Sequence, residues 1–483
     1  MIRELWRDGA IYAAGTIVSR GLALLLMPLI TRLLAPHEYG VFDLLVTAAV
    51  LANLVVPLET PQALARLWNE REVGVAQRRL AGTAWTFGVL AYAGFVLLAW
   101  GAAPWLAPRV FGNGFVEAWQ AGAVFIGANG VMLLLQSQLR WQRRPVAYAV
   151  VSIAYGAGTL GLLALLAVRG AAAGSAGAAQ AEAAEVLWAH AAASLAVAVG
   201  ARMALRGTLA WGLNAGELRA LLRYALPLVP AGVAVFAATY LHRWMLGALG
   251  TLDDVGLFGV AARLGGAVTL VLIGVQTAIT PLVYARHREP GTPAALARLA
   301  EGFWCLALLA CGAMALFARE LLAWLAGPDY AAAAPLVAWL AVAALLGQMY
   351  VFAPGIPIAQ RTGWQLAITL TAALAGVLLC LWLVPLAGAR GAAVASAGSA
   401  LWFLGGWVWA GQRLYPLPLR WRALGACTGA VLPLGAAGPA LDAAFAGPLA
   451  WVLKLALLGG VAAICVASGL LRPRAWPPAA SGG

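Results

Sequence analysis

The stretch WQLAITLTAALAGVLLCLWLVPL, Trp364 to Leu386, carries no charged residue. A run of that length crosses a hydrocarbon core about 30 Å thick as an α-helix. Similar runs recur from end to end, at about residues 9–34, 39–65, 80–103, 115–138, 146–168, 184–204, 222–248, 255–283, 299–318, 333–353, 364–386, 391–411, 423–441 and 447–470. The expected fold class is therefore all-α: a polytopic membrane protein of about fourteen transmembrane spans. Composition agrees. The 483 residues are 63% hydrophobic and 10% charged, whereas soluble domains carry about 25% charged residues. The first run is too long for a cleavable signal peptide and is expected to be retained.

The breaks between runs set the orientation. In LLLMPLITRLLAPHEYGVFDLL (24–45) one span stops, turns on charged residues and another starts. The termini and even-numbered loops hold most of the arginines, among them Arg66, Arg71, Arg78, Arg79, Arg140, Arg143, Arg144, Arg202, Arg206, Arg286, Arg288, Arg413, Arg420 and Arg422. The odd loops hold only Arg32, Arg109, Arg169, Arg319 and Arg390. Basic loops stay in the cytoplasm, so both termini are expected there. Basic loops beside anionic headgroups also account for most of the +13 net charge without a nucleic-acid partner.

Four basic residues fall inside spans: Arg20, Arg243, Arg263 and Lys454. A charge at mid-bilayer costs about 3 kcal/mol on insertion scales. Arg20 lies about 20 Å along its helix from Arg7, and Tyr12, Thr16, Ser19 and Arg20 share a face. That face is expected to line a wet interior. Arg263, with Thr269, Gln276 and Thr280 beyond it, and Asn129 with Gln136, extend the same expectation to spans eight and four. His242 and Arg243 sit near the outer end of span seven, where cavity-facing and snorkelling arrangements both remain open. Lys454, close to the start of the last span, is expected to snorkel. Glu59 lies near the inner end of span two. Asp43 and Glu301 lie near helix ends, and Asp253 with Asp254 suit a helix start. Interior positive charge then exceeds negative, which favours an anionic substrate, and arginine forks suit phosphate.

The chain also repeats. APHEYGVFDLL (35–45) resembles TLDDVGLFGVA (251–261), WQRRP (141–145) resembles AQRTG (359–363), and ETPQALARLW (59–68) resembles ITPLVYARHR (279–288). The ordered set implies two copies of a six-span unit in the same orientation, a parallel repeat with a cavity between lobes. The expected domains are an N-terminal lobe at 1–206, a C-terminal lobe at 207–415, and two further spans at 416–483.

PLITRLLAPHEYGVFDLL, YALPLVPAG (224–232), VGLFGVAARL (255–264), TPLVY (280–284), IPIAQRTGW (356–364) and VPLAGARGAAVAS (384–396) together resemble the polysaccharide flippases of the multidrug/oligosaccharidyl-lipid/polysaccharide exporter superfamily. The resemblance covers spans one to twelve. It implies a bacterial or archaeal cell-membrane exporter that moves a polyprenyl-diphosphate-linked oligosaccharide to the outer leaflet by alternating access. Family members often carry an acid before the arginine of span seven; here the pair is His242-Arg243. Arg20, Arg263, Arg243, His242, Thr16, Asn129 and Gln276 are the expected substrate contacts, with membrane lipids as partners and H+ or Na+ as candidate coupling ions. Pro28, Pro57, Pro61, Pro227, Pro230 and Pro281 mark places where helices could bend.

A multidrug exporter of the same superfamily is the main alternative, but cationic drugs favour buried carboxylates. The related lipid II flippases share the span count. A glycosyltransferase would want an external loop with catalytic acids, whereas the longest one, VRGAAAGSAGAAQAEAAE (168–185), reads as a flexible linker. An ATP-driven pump is excluded in this chain, because the one lysine, Lys454, sits between leucines and makes no P-loop. No catalytic residue, cofactor or metal is expected. Cys305, Cys311, Cys380, Cys427 and Cys465 all lie in spans, where a small apolar role is the default.

Overall fold

The computed structural model describes residues 2–172, 181–269, 283, 286–445 and 447–470. Within these, the side chains of residues 2–14, 16, 17, 20, 171, 172 and 436 lie outside the description. Every described element is helical. Nine of the described helices are long and apolar enough to cross a membrane, or ten with one bent pair counted as a span. The protein is a multi-pass membrane protein.

The chain forms two compact units, Met1–Gly259 and Val260–Gly483. The first contains α1 (Ile2–Leu33), α2 (Pro36–Val55), α3 (Thr60–Trp68), α4 (Val75–Val110), α5 (Val116–Trp141), α6 (Pro145–Ala172), α7 (Ala183–Ala204), α8 (Ala215–Ala225) and α9 (Leu228–Leu249). The next helix, α10 (Leu252–Gly266), begins in the first unit and ends in the second. The second unit holds α11 (Thr292–Leu325), α12 (Ala334–Leu346), α13 (Thr362–Leu414), α14 (Trp421–Val431), α15 (Leu434–Ala444) and α16 (Pro448–Ala467).

Prolines decide where spans stop being straight. The link between α1 and α2 is short because Ala35 is extended ahead of Pro36, which opens the new helix. The expected span 39–65 is broken: α2 ends at Val55, Leu58 and Glu59 take positive φ, and α3 restarts at Thr60. Pro57 removes a backbone donor there. The expected span 222–248 is likewise two helices, α8 and α9, meeting at Pro227 with a 44° bend. Span 423–441 divides at Pro433 into α14 and α15. Pro28, by contrast, stays inside a continuous α1. Pro281 lies outside the described residues. The 53 residues of α13 would reach about 80 Å if straight, far more than a bilayer needs. The chain turns back at Gly388, whose φ of 52° glycine adopts without strain.

In the first unit, Trp85, Tyr92, Met132, Leu135, Leu139 and Leu205 build a core between α4, α5 and α7. On the outward face of α4, Leu97, Leu98 and Trp105 are exposed, as lipid-facing residues must be. In the second unit, Leu296, Cys311, Leu345, Met349 and Leu404 fill the core around α11.

The repeated motif folds onto its counterpart. A Cβ at Gly40 would meet the carbonyl oxygen of Leu252, and one at Gly256 would meet that of Pro36. His37 Nδ1 lies 3.3 Å from Asp253 Oδ2, 216 residues apart in sequence. The two copies thus cross at equivalent glycines. After the linker, Glu182 and Glu185 form a capping box on α7. The Ala181 amide donates to the Leu33 carbonyl at 2.9 Å, and the Ala183 amide to Glu38 Oε2 at 2.8 Å. The described end of the expected linker is therefore anchored to the α1–α2 turn.

Candidate functional site

Asp43 lies in the third turn of α2 and is fully buried, not placed at a helix end with access to water. Arg243 reaches it from α9. Its NH1 donates to Asp43 Oδ1 at 3.2 Å and Oδ2 at 3.0 Å, and to Thr47 Oγ1 at 3.3 Å. Thr47 is held ready because its hydroxyl donates to the Asp43 carbonyl at 2.7 Å. The Tyr240 ring, 5.8 Å from the guanidinium carbon, covers another side. Arg243 neither snorkels nor carries an uncompensated charge, and this corrects the expected excess of positive charge at that level. Asp43 was missed because one carboxylate near a helix start is ordinary. The available signal was an acid and an arginine both placed inside apolar runs, which must find each other or pay desolvation alone.

His242, which precedes Arg243 on α9, is 5% exposed, and among the described residues its Nε2 has no hydrogen-bond partner. Asn129 joins a different group. Tyr92 donates to Asn53 Oδ1 at 2.7 Å, and Asn53 Nδ2 to Asn129 Oδ1 at 3.4 Å. Gln136 donates to Ser152 Oγ at 3.3 Å. Two separate polar groups thus cross the apolar core of the first unit, one joining α2, α4 and α5 and the other joining α5 and α6. Asn53 and Tyr92 were not anticipated, since single polar residues in a span give no pairing signal.

Arg263 is half-buried in α10, within the second unit, and makes contacts of its own. Arg20 and Thr16 lie on α1, their side chains outside the description, and Gln276 lies outside the described residues. The structure therefore brings together Arg243, Asp43 and Thr47, and separately Asn129 with Asn53 and Tyr92.

Two recesses open among the basic loops of the first unit. One, about 430 Å³, is lined by Arg78, Arg143 and Arg144 together with Trp68, Trp141 and Gln142. The second, about 470 Å³, is lined by Arg78, Arg79, Trp211 and Asn214. Guanidinium forks beside indole faces suit a ligand with phosphate oxygens and sugar rings. Sequence counting found these arginines as topology markers and gave no sign that loops after α3, α5 and α7 converge.

Lys454 does not snorkel. It is fully buried, with Nζ 2.5 Å from Glu320 Oε1 and 2.6 Å from Asp442 Oδ1. It joins α16 to α11 and α15 inside the second unit. Glu301 is similarly sequestered and takes Arg420 through NH2 at 2.7 Å and Nε at 2.9 Å. That bond holds the proton of the Arg420 guanidinium more firmly than usual. Cys305, Cys427 and Cys465 converge, with their sulfurs within 4.8 Å of one another.

A family model described as "Polysaccharide biosynthesis protein" matches residues 5–284. Among solved structures, the fold is similar to that of the lipid II flippase MurJ in an inward closed conformation, with 11% identity, 96% of this chain and 100% of that chain covered, and a TM-score of 0.75. It is also similar to an inward-facing multidrug resistance MATE transporter of the MOP superfamily, with 15% identity, 85% and 96% covered, and a TM-score of 0.61. A MATE transporter in complex with MaD3S aligns at 16% identity over 88% and 96%, with a TM-score of 0.55. Among curated proteins none matches the chain.

Proposed function

The chain belongs to the polysaccharide biosynthesis protein family, and on that premise we propose that it is a membrane flippase for a polyprenyl-diphosphate-linked oligosaccharide. The observation that carries the proposal is the recess where Arg78, Arg143 and Arg144 stand beside Trp68 and Trp141. It offers fixed cations for a diphosphate and aromatic faces for sugars, on the loops that the basic-residue count places in the cytoplasm.

In this reading the headgroup is first held at those loops while the lipid tail stays in the bilayer. Arg20 and Arg263, charges within apolar helices, take over the diphosphate inside the protein, with Thr16, Asn129 and Gln276 contacting polar parts of the headgroup. Arg243 belongs to the closed pair with Asp43, so its part, with His242, is to hold α2 and α9 together near the outer side until the helices rearrange. The breaks at Pro57 and Pro227 supply bending points in the same two spans. An H+ or Na+ gradient, or the membrane potential, is the energy source that fits a chain without a P-loop.

The test is reconstitution in vesicles with a fluorescent polyprenyl-diphosphate sugar, following its transfer between leaflets. Arg20→Ala and Arg263→Ala are expected to abolish transfer while folding is retained. Wild-type rates in both variants would remove these residues from the pathway. Drug efflux without lipid movement would replace the proposal with a drug exporter.

A further inference from the structure

Three of the five cysteines meet, although they lie far apart in sequence. Cys305 comes from α11, Cys427 from α14 and Cys465 from α16; each is fully buried. Their sulfurs all lie within 4.8 Å of one another. Cys305 is thus matched with cysteines more than a hundred positions away, not with Cys311 one and a half turns along the same helix. If small apolar packing were the only requirement, alanine, which fills much of these helices, would serve. Three thiols from three helices pointing at a common centre is the arrangement of a soft-metal site.

We propose that these cysteines bind one thiophilic divalent ion of the Zn2+ type. Zn–S bonds of about 2.3 Å place thiolate sulfurs roughly 3.8–4.0 Å apart, so closure from the present spacing takes a contraction of under about 1 Å. The fourth position of a tetrahedron has an oxygen at hand. Ser468 Oγ lies 3.6 Å from the Cys427 sulfur, oriented by donating to the Cys465 carbonyl at 2.7 Å. Binding replaces three S–H bonds with three S–metal bonds and releases three protons to water. The product carries one net negative charge. A monovalent ion on three thiolates would carry two, which a low-dielectric site tolerates less.

Access comes from one feature. Glu301 lies one turn before Cys305 on α11, and its partner Arg420 is 48% exposed at the side chain. Arg420 NH2 also donates to the Gly469 carbonyl at 3.2 Å. The cluster therefore lies about one turn from the Glu301–Arg420 ion pair, whose arginine is exposed. A bound ion would fasten α14 and α16 to α11, and this role is independent of what the protein transports.

The full-length protein, reduced and stripped of metal in nanodiscs, is incubated with Zn2+ alone, freed of excess and assayed for bound metal. About one equivalent is expected. Cys305→Ser, Cys427→Ser and Cys465→Ser should each lose most of it, while Cys311→Ser and Cys380→Ser retain it. Cd2+ on the wild type should give a sulfur-to-metal charge-transfer band, and Zn2+ should raise the unfolding temperature of the wild type by several degrees. The wild-type measurement decides even where a variant misfolds. Less than about a fifth of an equivalent on the wild type, full retention in the triple serine variant, or occupancy by Cu+ with none by Zn2+ overturns the assignment.

Discussion

Removing one member of the Asp43–Arg243 pair should be far worse than removing both. The closest contact is 3.0 Å, with Asp43 fully buried and Arg243 17% exposed at the side chain. At an effective dielectric constant near 20, unit charges at that distance attract by about 5–6 kcal/mol. Desolvation of the two ions returns much of that sum, so the pair's net worth is small. A single truncation nevertheless strands a buried charge at about 3–5 kcal/mol. Arg243→Ala removes this guanidinium from the buried Asp43 carboxylate, and Thr47 is only a neutral neighbour. Asp43→Ala strands the guanidinium. In the double variant neither penalty remains, and the coupling energy should be at least about 2 kcal/mol. The assay is a double-mutant cycle on unfolding free energy in mixed micelles. Additive effects, or single truncations costing less than about 1 kcal/mol, would show that the pair is solvated instead of closed and dry.

Other outcomes follow from the same geometry. Lys454→Met leaves Glu320 and Asp442 facing each other without a cation and should lower stability by about 3–5 kcal/mol, whereas adding Glu320→Gln and Asp442→Asn should restore much of it; thermal unfolding in detergent reads both. Gly40→Leu and Gly256→Leu place side chains against the carbonyls of Leu252 and Pro36, so folded yield on size exclusion should collapse, while Gly161→Ala, with open space around it, should match the wild type. Replacing Arg78, Arg143 and Arg144 together with glutamine should weaken binding of a soluble sugar diphosphate at least tenfold and flatten its salt dependence, with melting temperature unchanged.

The span pattern was legible because lipid imposes it: apolar runs of membrane length have no other use in a chain this poor in charge. Helix breaks were only half legible. Pro57, Pro227 and Pro433 interrupt helices, yet Pro28 does not, because neighbouring groups can satisfy what proline frees. The repeat was visible in APHEYG and TLDDVG, and only the structure revealed that Gly40 and Gly256 pack across each other. Charged residues in spans were recognised as costly, but their partners were not. Lys454 and Glu320 are 134 positions apart, and Asp43 and Arg243 are 200 apart; no local spacing encodes such contacts. The same holds for the three cysteines, whose sequence separations suggest nothing.

On the proposed function, the arginines recognise the diphosphate and not the sugar or the tail. The direct measurement is leaflet transfer of two lipids in the same vesicles: a polyprenyl-diphosphate sugar, and the same sugar joined to the same tail without phosphate. Transfer of the first at least tenfold faster than the second, with inhibition by a soluble sugar diphosphate, is the expected result. Equal transfer of both lipids would contradict it.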